Sequence, residues 1–385
     1  MSVQCDYSFG IEEEFFLVRP HSRLLAAHVP ARLLKRARAE FGDSIESELL
    51  QAQIEIASPV QCDLGQARRQ LGELRRGLGA LAHEHGLALL AAGTHPLGQW
   101  REQAQTDKPR YRQLVEDFQI VARRSQVCGL HVHVQLPDGI DRVQAMNRAM
   151  PWLPLLLALS TSSPFWDRWN SGLMSYRQAM YDEWPRTGIP DFFAGQAEYD
   201  AFAQVLVRAG AIADASSLWW AIRPSPNFPT VELRIADACT HLDDSIAIAA
   251  LFRCLMRHIV RHPAPAPPCD AATRRLIDEN RWRAKRSGLQ AEFLDAHGRL
   301  EPALAQLQRL RALIAQDAAA LGCADALAHL DVLAARGTSA HAQLAIYREQ
   351  RQAGASRNNA LKAVVDWLLH ATVPAETPAP ATAAH

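Results

Sequence analysis

Near the start of the chain, the run Phe9-Gly-Ile-Glu-Glu-Glu-Phe-Phe-Leu17 sets three consecutive carboxylates inside an aromatic and aliphatic stretch. Burying an unpaired carboxylate is among the most costly steps a fold can take, so the element carrying this run must divide its charges between different surroundings. On a β-strand, successive side chains point to opposite faces. Cys5, Tyr7, Phe9, Ile11, Glu13, Phe15 and Leu17 then share one face, apolar apart from Glu13. Asp6, Ser8, Gly10, Glu12, Glu14, Phe16 and Val18 share the other. Glu12 and Glu14 stand one pleat repeat apart, roughly 7 Å between Cα atoms, which lets both address one hard cation or two neighbouring ones. Alone, such a pair also suits an exposed acidic strand end. Glu13 needs its own partner, an Arg from a covering helix or from a second subunit.

Three further segments repeat the pattern of a polar face backed by an apolar one. In "IESELLQAQIEIASPV", Glu55 shares a face with Gln53 and Ala57, and Glu48 lies seven residues upstream. In "CGLHVHVQL", His131 and His133 share a face, a spacing that suits either metal ligands or two hydrogen-bonded sheet histidines. In "FPTVELRIAD", Glu232 and Arg234 share a face, as a simple ion pair or as a carboxylate for a cation beside an Arg for the phosphate it touches. A set rich in carboxylates, Glu12, Glu14, Glu48, Glu55 and Glu232 with His131, favours Mg²⁺ or Mn²⁺ over Zn²⁺. The His-x-His pair also keeps open a metal-dependent amide hydrolase that works without ATP.

The strands expected near residues 5–18, 45–58, 87–93, 127–136, 217–223 and 229–236 alternate polar and apolar residues, with helical patterns between them at 28–41, 64–86, 110–125, 139–161, 196–210 and 242–262. No Gly-rich phosphate loop follows any of them. Alternation favours an α+β fold: an antiparallel sheet with one face on helices and the other open for chemistry. After the loop "PAPAPPC", residues 270–371 read as almost entirely helical, and 373–385 as a disordered Pro/Ala-rich tail. Lys plus Arg and Asp plus Glu both number 41, so no overall field recruits nucleic acid or an anionic membrane. Seven scattered cysteines without a Cys-x-x-Cys pair argue against a disulfide framework and a thiolate zinc site. With no signal-peptide pattern and no apolar run long enough to span a bilayer, a cytoplasmic protein is expected.

The segments "GIEEEFFLV", "IEIASPV", "AAGTHPLGQW", "CGLHVHV", "VELRIAD", "NRWRAKRSGL" and "AVVDWLL", in this order over nearly the whole chain, resemble the YbdK-type carboxylate–amine ligases. These are type 2 glutamate–cysteine ligase-like proteins related to glutamine synthetase. The resemblance implies a single catalytic domain over 1–372, with a sheet curved like half a barrel, and a homodimer. It implies ATP and Mg²⁺ (or Mn²⁺) as cofactors, with Glu12, Glu48, His131 and Glu232 around one ion and Glu14 and Glu55 around others. Arg234 would contact the γ-phosphate; Arg234 and His133 are assigned to the nucleotide, and Glu12 and Arg234 to catalysis. The implied reaction joins a carboxylate, first of all glutamate, to an amine such as cysteine through an acyl phosphate. For the substrate carboxylate the candidates are Arg177, Arg186 and Arg281, with Arg283 nearby, each equally at home in an ordinary ion pair. The segment 170–195 is expected to be a long loop covering the site, and Thr94-His95-Pro96 either lines the pocket or turns the chain.

Overall fold

A computed structural model describes residues 5–263 and 269–375. Most of the expected "PAPAPPC" loop and residues 376–385 of the expected tail lie outside the described residues. Eight strands form one open sheet: β1 (Phe9–Arg19), β2 (Leu24–Leu25), β3 (Ile45–Ser47), β4 (Gln53–Ala57), β5 (Ala88–Leu90), β6 (Gly129–Gln135), β7 (Ile222–Pro224) and β8 (Thr230–Asp237). Their order is β3–β4–β1–β6–β8–β7, with β2 and β5 added along the second half of β1. Every pairing within this sheet is antiparallel. The α+β architecture expected from strand alternation is therefore the one observed.

Alternation sorts the side chains as the sequence implies. Ile11, Phe15 and Leu17 of β1, Ile54 and Ile56 of β4, Leu130, Val132 and Val134 of β6, and Val231, Leu233 and Ile235 of β8 all turn into one core. Among the helices that cover it are α1 (Leu64–Glu84) and α2 (Leu242–Arg261). The first is started by Asp63, whose Oδ1 accepts from Gln66 N at 2.6 Å. The opposite face is not open throughout. Phe16, Val18 and Leu90 are buried there against Leu361, Val364, Val365 and Leu368 of α3 (Arg357–Thr372). It is left for chemistry where Glu12, Glu14, Glu55, His131 and Glu232 stand.

Glu13, on the core side, is 2% exposed and meets Arg75 of α1, itself fully buried. Arg75 Nη2 and Nε donate to the two carboxylate oxygens at 2.6 and 2.9 Å, and Ser245 Oγ donates to Oε1 at 2.5 Å. The rest of the guanidinium donates to the carbonyls of Cys239 and Thr240, just after β8, and of Thr372, at the end of α3. The partner is thus a covering helix of the same chain.

Several expectations need correction. Cys5 and Cys62 form a disulfide across 57 residues of sequence. The backbone bridge between Phe9 and Gln61 brings these segments together, a long-range contact that cysteine spacing does not reveal. Cys128, Cys239, Cys254, Cys269 and Cys323 are free. The helix expected over 110–125 breaks at Gln119, which takes a φ of 47° between Pro109–Phe118 and Ile120–Arg124. That over 139–161 is interrupted around Met150–Trp152. Within 270–371 a small hairpin pairs Glu292–Leu294 with Leu300–Pro302; its turn has Gly298 at a φ of 76°, and Asp295 accepts from His297 N and Arg299 N.

Replacing Arg75 by Leu strands the Glu13 carboxylate and three carbonyls in the core. Urea denaturation is expected to show a loss of about 3–5 kcal/mol, whereas Glu13→Gln, which keeps hydrogen-bonding capacity, loses less. An Arg75→Leu variant as stable as the parent would remove the pair from its structural role.

Candidate active site

The sheet register sets the centre of the site. Glu12 sits opposite His131 on one side and Ala57 on the other, and Glu14 sits opposite Glu55. Glu232 faces His133 and, on its other edge, Arg223. Glu48 arrives from the turn between β3 and β4. A cavity of about 260 Å³ opens over these strands, lined by Glu12, Glu14, Glu48, Glu55, His131, Arg177, Arg223 and Arg234, with Tyr111, Tyr181, Trp184 and Trp219 among its other walls.

The acidic groups fall into two sets. In the first, ligand atoms of Glu12, His131 and Glu232 lie within 4.8 Å of one another. His131 Nδ1 is 3.1 Å from Glu12 Oε2, and His133 Nε2 is 3.2 Å from Glu12 Oε1. Burial disfavours charge on Glu12, but its hydrogen bonds to the two histidines outweigh this and hold its carboxyl well below the usual range. Burial, reinforced by Arg234, lowers the His131 pKa, so the ring is neutral and offers a lone pair at neutral pH. Glu232 is buried between two guanidiniums. Arg223 donates to both its oxygens, at 2.7 and 3.2 Å, and Arg234 Nη1 donates to Oε1. Burial raises the Glu232 pKa, but Arg234 and then Arg223 overcome it, keeping the carboxylate ionised far into acid.

The second set, Glu14, Glu48 and Glu55, also converges within 4.8 Å. Glu14 accepts from Gly129 N at 2.6 Å. Glu55 is pushed well above the ordinary carboxylate range by burial, by the charges of Glu48 and Glu12, and by its hydrogen bond to Glu48. Glu14 is raised by burial and by Glu48. Glu48 therefore groups with Glu14 and Glu55, not with Glu12, His131 and Glu232 as the resemblance implied.

The candidate arginines separate clearly. Arg177, on the helix Tyr176–Tyr181, is 2% exposed and lines the cavity. Its guanidinium makes only long contacts of 3.4–3.5 Å, to the carbonyls of Arg234 and Ile235, and its Nε has no partner among the described residues. It passes so close to β6 that a Cβ at residue 129 would stand 2.3 Å from Nη2, which only Gly129 avoids. Arg281 is instead held by Asp182 and Asp278, at 2.6 and 2.9 Å, and does not line the cavity. Arg283 pairs with Glu279. Arg186 donates to the Ser217 carbonyl and lies over the Trp219 ring, behind the cavity wall. The segment 170–195, largely irregular apart from the helix Tyr176–Tyr181, reaches the cavity through Arg177, Tyr181 and Trp184. Thr94 and His95 are buried away from it; desolvation lowers the His95 pKa to about 3. His133 also meets Thr230 Oγ1 at 3.0 Å. Sequence reasoning missed Arg223, although an Arg between Ile222 and Pro224 in a short strand was a readable signal.

Hard-cation chemistry fits the second set best. Three carboxylates converge there, two with raised pKa values, as expected of groups that lack a compensating positive charge. His131 Nε2, buried without a hydrogen-bond partner among the described residues and 3.9 Å from Glu14 Oε1, lies between the two sets. Glu232 fits less well, because both its oxygens are already engaged by arginines.

The open antiparallel sheet, with carboxylates, histidines and arginines on one face, has a fold shared with solved glutathione synthetase and glutamate–cysteine ligase structures. The solved structures most like it include a bifunctional glutathione synthetase from Pasteurella multocida, with a TM-score of 0.70 and 16% identity, over 95% of this chain. The match covers 52% of that protein, about half its length. A glutamate–cysteine ligase from Francisella tularensis, solved with AMP, gives a TM-score of 0.69 at 13% identity over 98% of this chain and 91% of its own. More particularly, the chain belongs to the glutamate–cysteine ligase family 2, whose model matches residues 8–362. Relatives named "Putative glutamate–cysteine ligase 2" include one from Ectopseudomonas mendocina, 48% identical over 95% of this chain and 97% of its own length. One from Rhodospirillum rubrum is 47% identical over 95% of this chain and 96% of its own length.

The raised pKa values have a measurable consequence. A carboxyl whose folded pKa lies above its unfolded one contributes stability in full below the ordinary carboxylate range, and loses it as pH rises through the folded value. With chelator present, the parent should therefore lose melting temperature relative to Glu55→Gln as pH climbs from about 4.5 through the raised Glu55 value. Identical pH profiles for parent and variant would show that Glu55 carries no such strain.

Proposed function

We propose that the chain is an ATP-dependent carboxylate–amine ligase of the glutamate–cysteine ligase type. The observation that carries this reading is one cavity holding both a convergent carboxylate set (Glu14, Glu48, Glu55) and two guanidiniums, Arg177 buried and Arg234 partly exposed. The first suits the cations that accompany a nucleotide, the second suits phosphoryl or carboxylate oxygens. Glu14, Glu48 and Glu55, with Glu12 and His131, would hold Mg²⁺ or Mn²⁺. Such an ion, when bound, neutralises charge on the β- and γ-phosphates.

The chain's own groups do the rest. Arg234 lies against Tyr181 Oη at 3.2 Å as well as Glu232, so its guanidinium is fixed in direction before any ligand arrives. Aimed at the γ-phosphoryl group, it stabilises the charge that develops as the substrate carboxylate attacks and ADP leaves. Arg177, whose Nη donors make only long contacts and whose Nε has no partner among the described residues, binds the carboxylate substrate. An amine then displaces phosphate from the acyl phosphate and forms the amide. Glutamate and cysteine are the first pair to test. The amide hydrolase reading has no observation in its favour: it calls for no paired guanidiniums over the carboxylates, and the family relationship lies with ligases. The reading includes one catalytic domain over 1–372, a homodimer and a cytoplasmic location; no described helix is long and apolar enough to cross a membrane.

Purified protein with ATP and Mg²⁺ should release phosphate only when both a carboxylate and an amine are supplied, and Glu12→Gln and Arg234→Ala should each abolish release while melting as folded proteins. Amide cleavage without ATP would transfer the site to the hydrolase class. Because the carboxylates repel one another without cations, excess Mg²⁺ or Mn²⁺ with nucleotide is expected to raise the melting temperature by several degrees. An unchanged melting temperature would count against metal at this site.

A further inference from the structure

A second cavity, of about 520 Å³, lies beside the segment leading into β1 and shares no lining residue with the candidate active site. We propose that it binds a small oxyanion of the phosphate class, held by Arg253, Arg257 and Arg261. These residues recur every four positions on α2, so their side chains stack along one helix face toward the cavity. The opposite wall is Cys5, Asp6, Tyr7 and Cys62, fixed in place by the disulfide.

The arginines are not used up by neighbours. Asp317 is the carboxylate that pairs with them, and it is shared between Arg257 at 2.5 Å, Arg261 at 3.3 Å and the His258 ring at 3.2 Å. Among the residues that line the cavity, three guanidiniums face the one carboxylate of Asp6, while Asp317 and Asp63 act from outside the lining. Arg253 is the most telling. It is 2% exposed, its Nε donates to the Tyr7 carbonyl at 2.8 Å, and its guanidinium lies over the Phe9 ring, yet Nη1 is buried with no partner among the described residues. Tyr7 takes a φ of 56°, an uncommon conformation for a bulky residue. Favourable interaction with the helix C-terminus accounts for Arg261, in the last turn, and the Asp317 pair for Arg257, but neither accounts for Arg253, more than two turns before the end of α2. An unpaired guanidinium edge deep in a cationic cavity is the arrangement that an oxyanion completes.

The test uses the full chain in chelator, with inorganic phosphate titrated at constant ionic strength and acetate as a parallel arm. Phosphate should raise the melting temperature saturably. Acetate acting likewise would assign a general oxyanion site, and phosphate acting alone a tetrahedral one. Arg261→Gln changes a side chain that is 43% exposed, and should weaken half-saturation about threefold without unfolding the protein. Arg253→Lys, which keeps the charge but loses the fork, should weaken it as well, whereas Arg234→Ala should leave it unchanged. The absence of a saturable rise would overturn the proposal. So would a rise that both cavity variants leave intact, or one that Arg234→Ala removes.

Discussion

The buried pair of Glu13 and Arg75 sets the phase of the central strand. β1 contains three adjacent carboxylates, and a slip of one residue would turn Glu12 and Glu14 into the core and Glu13 out of it. Arg75 offers a fork that satisfies Glu13 and no other member of the run, and all five of its N–H groups find acceptors. Once Glu13 is held inward, Glu12 and Glu14 must face the cavity. The antiparallel register then brings His131 opposite the first and Glu55 opposite the second.

The two carboxylate sets in the cavity are electrostatic opposites. Glu232 has more positive charge than it needs, with Arg223 and Arg234 both against it. Glu14 and Glu55 have too little, and their protons are held by burial and by Glu48. One side of the cavity is thus shaped for anionic oxygens and the other for cations. The aromatic walls, Tyr181, Trp184 and Trp219, set low-polarity surface beside the charges, which strengthens both halves.

Much of this was legible in the sequence because period-two alternation is strict where one sheet face is buried. The faces of Glu12, Glu13, Glu14, Glu55, His131 and Glu232 could all be read from neighbouring apolar residues. Groupings across strands could not, since they depend on register and on turns: Glu48 joined Glu14 and Glu55 only once the turn after β3 was in place. Arg281 looked as suitable for a ligand as Arg177, because a sequence does not show that Asp182 and Asp278 have already claimed it. The Cys5–Cys62 link and the 292–302 hairpin were missed for related reasons, one resting on a long-range bridge and the other on a single tight turn in a helix-rich stretch.

The reach of Arg75 bears on how the chain acquires its structure. Its contact with the Thr372 carbonyl spans 297 residues, while that with Glu13 spans 62. During synthesis the guanidinium can meet Glu13 early, but its last acceptor emerges only 297 residues after Arg75 itself. Until then the second half of β1, with Phe16 and Val18, lacks the cover of α3. Closing contacts of such long separation late in folding is slow, and the apolar strand it leaves bare is a surface on which unfinished chains can associate.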